Sequence, residues 1–166
     1  MKIDAPSATA RATAWIAVIA VCAFIAVGAV LYGLSGEVFE RIWRDIGERP
    51  GGPMSFRFLL QPVMAFVAAL HDGVKDARLG RAPYFWTVLS DPAEGGGRLR
   101  EGIVSTARII LLGLGMDVIY QSMVLGTFYP GEAALVALLL AFIPYLVLRG
   151  PIARIAHRWL TRNQHS

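Results

Sequence analysis

Apolar residues fall in long blocks along this chain, and the blocks differ in kind. The first runs from Thr13 to Gly33 without a charged residue. Its 21 residues reach ~31 Å as a helix, the depth of a bilayer core. Trp15 and Tyr32 stand near its ends, where amphipathic rings favour the headgroup level. The length, and the lack of a small-residue cleavage site after it, favour an uncleaved span over a signal peptide.

Residues 37–47 change period. Val38, Phe39, Ile42, Trp43 and Ile46 share one helical face, which predicts an amphipathic helix on the membrane surface or against a partner. Glu37 with Arg41, Glu40 with Arg44, and Asp45 with Arg49 stand at the four-residue spacing that suits ion pairs. The Arg49-Pro50-Gly51-Gly52-Pro53 run ends the helix.

The segment 57–72 is ambiguous. Gln61 and Pro62 interrupt it and only Val63–Leu70 is continuously apolar, so it reads as an interfacial, re-entrant or fourth spanning helix. Beyond it, 73–102 reads as a cytoplasmic loop, with Tyr84, Phe85 and Trp86 as an interface anchor. Two more spans follow at about 103–125 and 132–148, joined by a connection so short that they must form an antiparallel hairpin. After Arg149, Gly150 and Pro151, an amphipathic helix is expected over 151–162. Arg149, Arg154, Arg158 and Arg162 make the 149–166 tail basic, suited to anionic headgroups on the cytoplasmic side.

Composition agrees with this pattern. Of 166 residues, 55% are hydrophobic and 17% charged, with mean hydropathy +0.53. Soluble domains carry about 25% charged residues, so the chain is read as a single all-α membrane domain. The net charge of +4 is what loops retained in the cytoplasm produce. No basic run is interleaved with stacking aromatics, so nucleic acid is excluded as a partner. The single cysteine, Cys22, lies in an apolar block and supports neither a disulfide nor a zinc cluster.

If 57–72 does not cross, 13 of the 16 Lys and Arg residues share one side of the membrane. If it does cross, one side holds 11 and the segment 34–57 carries four. Charge asymmetry favours three crossings, and both counts put the C-terminus in the cytoplasm.

Asp117, inside the second firm span, is the most informative polar residue. A carboxyl there costs about 2.5–3.5 kcal/mol on insertion scales, so it must face protein or water. Tyr120 and Gln121 share its face. The expected role is a polar staple between helices, with a proton relay as the sharper alternative. Arg108 lies in the same span on roughly the opposite face and is expected to snorkel to headgroups. His71, Asp72 and Asp76 resemble a ligand set only weakly, and a solvated polar face explains them, so neither metal nor cofactor is expected. Gly113 and Gly115 permit close helix approach, and Pro144 introduces a kink.

Several strings together resemble an uncharacterised family of small bacterial integral membrane proteins. They are Arg57–Pro62 (RFLLQP), the stretch from Asp72-Gly73 to Arg78, Gly80–Trp86 (GRAPYFW), Asp117–Gln121 (DVIYQ), and Pro144-Tyr145 with Leu148–Pro151 (LRGP). They cover roughly residues 57–155. The resemblance implies a bacterial inner membrane location and carries no catalytic residues. The expected function is that of a non-catalytic accessory or organising subunit contacting lipid, other membrane subunits or itself. The alternative is an oligomeric proton- or ion-coupled transport component using Asp117.

Overall fold

The computed structural model describes residues 6–163, and among these every regular element is helical. The elements are α1 (Ala8–Tyr32), α2 (Gly36–Glu48), α3 (Arg57–Arg78), α4 (Tyr84–Ser90), α5 (Pro92–Tyr120), α6 (Pro130–Ala137) and α7 (Ile143–Asn163). A short 3₁₀ turn, Arg49–Gly51, follows α2. A widened turn, Gln121–Leu125, extends α5, and another, Leu138–Phe142, joins α6 to α7.

Local chemistry sets several boundaries. The Ser7 hydroxyl accepts the Ala10 N–H at the start of α1, and Ser35 caps α2 by accepting from Val38. Gly33 ends α1 with φ +75°, a left-handed conformation that a side chain would strain. Asp91 accepts N–H bonds from Ala93 and Glu94, and Pro92 opens α5. The widened turn before α7 lies just ahead of Pro144, whose ring has no N–H and crowds the preceding carbonyls; the wider turn relieves that crowding.

Four long rods form the bundle. Three of them are long and apolar enough to cross a membrane: Ala8–Tyr32, Pro92–Leu125 and Pro130–Arg162. The fourth is α3, which packs along α7 and against α5. Gln61 and Ala137 both face Gly113, while Gly73 lies against Arg149 and Ile152. The offset is the same at both places, so α3 runs parallel to the α6–α7 rod and antiparallel to α5. Its outward face is apolar from Leu59 through Val63, Phe66 and Val67 to Leu70. Its inward face, by contrast, carries Arg57, Gln61, Ala65, Ala69, Gly73 and Asp76, all buried. At 22 residues it is ~33 Å long and stands beside the three candidate spans as a fourth rod of the bundle. Its mean hydropathy is lowered by Arg57, Gln61 and Asp76, which point inward, and by His71, Asp72, Lys75 and Arg78 in its last two turns, which are half-buried or exposed.

Outward surfaces elsewhere are also apolar: Ile16, Ile19 and Val30 on α1, Leu112 and Ile119 on α5, and Ile143, Val147 and Ile155 on α7 are exposed. Inside, alanines at 65, 69, 107, 133, 134, 137 and 141 are fully buried and let backbones approach closely. A close backbone crossing joins Gly28 of α1 to Gly131 of α6, where an added Cβ would meet backbone nitrogen at 2.6 Å.

Three expectations need correction. The segment 73–102 is not an irregular loop: it holds the end of α3, all of α4 and the first turns of α5. Its ordering follows from burial of Tyr84 and Arg98. The helix over 151–162 is not separate from the third firm span, since α7 continues through Pro151. Finally, none of the three acid-then-base pairs read along 37–49 forms among the described residues. Arg41 instead pairs with Asp45 and Glu132, because α2 folds back onto the bundle. Lys2 and the tail beyond residue 163 lie outside the described residues.

Candidate functional site

The polar chemistry of the bundle is concentrated in two buried layers, one near each end of α3. Arg57 and Asp76 belong to different layers, and their separation of 19 positions along the helix corresponds to ~28 Å.

The first layer is centred on Asp117, which is fully buried. Its carboxylate accepts from Arg49, from the Arg57 Nη1 at 2.5 Å and from the Gln121 Nε2 at 2.5 Å. Arg49 also donates to Glu132, which is itself buried and receives a further bond from Arg41 at 3.3 Å. Each acid has a distinct origin: Asp117 from the last turn of α5, Glu132 from the first turn of α6. Two arginines approach from outside those helices, Arg49 on the turn after α2 and Arg57 on the first turn of α3. Gln121 adds a clasp, since its amide oxygen accepts the Tyr129 N–H at 2.5 Å and its Nε2 donates to the Tyr129 carbonyl at 3.2 Å. The Tyr120 ring lies 4.9 Å from the Arg49 guanidinium and 4.6 Å from that of Arg57. Burial pulls the Arg49 guanidinium below its ordinary pKa, and the neighbouring Asp117 carboxylate opposes that shift.

Several donors in this layer have no hydrogen-bond partner among the described residues. They are Arg49 Nε, and Arg57 Nε and Nη2. One turn deeper, both polar atoms of the Gln61 amide are unpaired and buried. An unpaired buried amide is destabilising by roughly 1–3 kcal/mol.

The second layer is centred on Asp76, only 1% exposed. Arg98 meets it with two parallel bonds of 2.9 Å each. Arg149 adds Nε to Oδ2 at 2.8 Å and Nη2 to Oδ1 at 3.0 Å. Arg81 approaches at 3.3 Å. These fork-shaped contacts are the strongest geometry available to a carboxylate. Glu101, partly open to solvent, touches the same three arginines at 3.1 Å. Tyr84 and Tyr145 stack edge-to-face beneath them, and the Arg149 guanidinium lies 4.2 Å from the Tyr84 ring. The Tyr84 hydroxyl donates to the Arg98 carbonyl, and burial pushes its pKa up to about 12. Asp72 accepts from Ser105 at 2.5 Å and from the Tyr145 hydroxyl at 2.7 Å.

The expected site residues divide accordingly. Asp117 and Gln121 come together, and Tyr120 joins them through the arginines. Arg108 is exposed and stands apart, with no ion pair among the described residues. Arg149 does not face lipid: it is 2% exposed and locked onto Asp76. Arg154, Arg158 and Arg162 are exposed. Asp76 is an interior ion-pair partner, not part of a solvated face, and Tyr84 is buried while Phe85 and Trp86 stay outside. Arg49, Arg57, Arg98 and Glu132 were missed. The available signal was the stripe Arg57–Gln61–Ala65–Ala69–Gly73–Asp76, polar at both ends and small between, at helical spacing.

No protein-family model, curated protein or solved structure matches this chain.

Proposed function

We propose that this protein is a multi-pass accessory or organising subunit of a bacterial cytoplasmic membrane, acting through contacts with lipid and other membrane subunits. The observation that carries this reading is how the buried charges are used. Asp76, Asp117 and Glu132 are each tied to guanidinium groups from other elements. The polar interior therefore serves as two cross-ties between rods, and the reachable surface is left to do the work. That surface is apolar around the bundle, and α2 adds exposed Phe39 and Trp43 at one end.

With α3 as a fourth crossing rod, both termini lie on the same side, and the basic end of the bundle faces the cytoplasm. The arginines at the opposite end weaken this assignment little, because Arg49 and Arg57 are buried and paired there. A transport role for Asp117 has less support. Two guanidiniums and Gln121 already hold its carboxylate, and a relayed proton would have to displace them.

Extraction in a mild detergent or native lipid discs, followed by mass spectrometry, tests the reading. A stoichiometric partner is expected, and Phe39→Ser with Trp43→Ser on α2 should reduce its recovery while the bundle stays folded. Isolation only as a bare monomer would overturn the proposal. Proton flux in vesicles that disappears with Asp117→Asn would favour the transport reading instead.

A further inference from the structure

We infer that the groove between α1 and the start of α5 binds one anionic phospholipid, with its phosphate held by Arg11 and Arg100. This rests on the reading that hydrocarbon surrounds the bundle, but it names a particular site and ligand.

Helix α1 is the least embedded rod. Its buried contacts are the small residues Ala14, Ala17 and Gly28; Phe24 and Tyr32 add contacts only near its C-terminal end, and no ion pair among the described residues ties it down. Small contacts bring the backbones close but leave furrows beside them. One furrow opens at the basic end of the bundle, with Arg11 and Arg100 at its mouth and Trp15 on its rim. Below the mouth its walls are Val18, Leu99 and Ile103, almost wholly apolar. The same three residues line a second apolar recess, which carries the furrow down to Cys22 and Phe142.

The dimensions and charges fit one class of occupant. From Arg11 to Cys22 the furrow descends ~16 Å along α1, the depth of one leaflet of a ~30 Å hydrocarbon core. An acyl chain lying there would place its headgroup between two exposed guanidiniums. Neither Arg11 nor Arg100 has an acidic partner among the described residues, unlike Arg81, Arg98 and Arg149 on the same end. Trp15, 63% exposed, sits at the level where indole rings favour the headgroup boundary. A soluble anion would gain the two arginines but nothing from the apolar furrow, and a zwitterionic lipid would gain the furrow but lose much of the charge attraction.

The test uses the full chain purified in a neutral detergent. Native mass spectrometry would measure retention of phosphatidylglycerol against phosphatidylcholine with identical acyl chains. One phosphatidylglycerol per chain is expected, bound ~10–30-fold more tightly, as two arginines near a headgroup supply. Arg11→Gln with Arg100→Gln should erase that preference, and these exposed side chains, which form no ion pair among the described residues, can change without disturbing the fold. Val18→Trp should fill the furrow and reduce retention of both lipids. Arg154→Gln with Arg158→Gln, on the α7 tail, should leave the preference intact. Equal retention of the two lipids, or a preference that survives the Arg11/Arg100 substitutions, would overturn the assignment. Loss of the preference through the tail substitutions would overturn it in favour of the tail. A stable dimer dissociated by Val18→Trp would overturn it in favour of a second copy of this chain. A failure to isolate any protein partner bears on the proposed function and leaves these outcomes unaffected.

Discussion

Replacing Asp76 by asparagine removes one charge from the centre of the second ionic layer and leaves the two arginines it binds most closely still buried there. Arg98 and Arg149 are 6% and 2% exposed, and together they make four bonds of 2.8–3.0 Å to this carboxylate. Asparagine keeps one acceptor oxygen but turns an NH2 group toward guanidinium donors. Breaking a buried ion pair from one side costs roughly 3–5 kcal/mol, because the remaining charge is desolvated without compensation. At about 2–4 °C per kcal/mol for a chain of this size, the apparent Tm should fall by roughly 6–20 °C. Glu101→Gln supplies the matched comparison. Glu101 contacts the same three arginines at 3.1 Å, but its side chain is 38% exposed. Solvent screening should hold its effect to about 1 kcal/mol or less. The assay is thermal unfolding in detergent micelles, followed by tryptophan fluorescence and by the surviving monodisperse fraction. Equal losses for the two variants, or a larger loss for Glu101→Gln, would refute the claim that desolvation makes Asp76 the anchor.

Three further outcomes follow from the same geometry. Gly28→Leu should destabilise by about 1–3 kcal/mol, because its Cβ would meet Gly131 backbone atoms at 2.6 and 2.8 Å; Gly115→Leu, with open space at the same position, should change the apparent Tm little. Gln61→Leu should leave stability unchanged or raise it, since the amide it removes has no bonded partner among the described residues; a fall of the apparent Tm comparable to that of Asp76→Asn would contradict this. Tyr84, with a folded pKa near 12 against ~10 when unfolded, should stabilise fully below pH ~10 and lose that contribution as pH rises from 10 toward 12. Difference titration of phenolate absorbance between the wild type and Tyr84→Phe would show this, and a Tyr84 component ionising near pH 10 in the folded protein would refute it.

The spans at the two ends of the chain were legible because each presents lipid-compatible residues over enough length, whatever it packs against. Their boundaries moved by several residues, since caps such as Ser7 and Asp91 lie outside the apolar blocks. The role of 57–72 was harder to read. A helix with an apolar outer face and a polar inner one averages to an intermediate hydropathy, which an interfacial helix shares. Asp117 announced itself because a carboxyl inside an apolar span requires a partner, and Gln121 four residues on was the local candidate. Its strongest partners, Arg49 and Arg57, stand 68 and 60 residues away, a separation at which local spacing says nothing.

Taken alone, then, the order of residues determined the solvent of this chain, its helical class and the need to satisfy one buried acid. Those properties depend on short windows, where the free energy of leaving water is summed residue by residue. The tertiary structure decided that α3 stands upright among the spans, that Arg149 turns inward to Asp76, and that the bundle is cross-tied at both ends. These depend on which distant side chains meet in a low-dielectric interior, where water is excluded and a charge left without its partner is strongly destabilising.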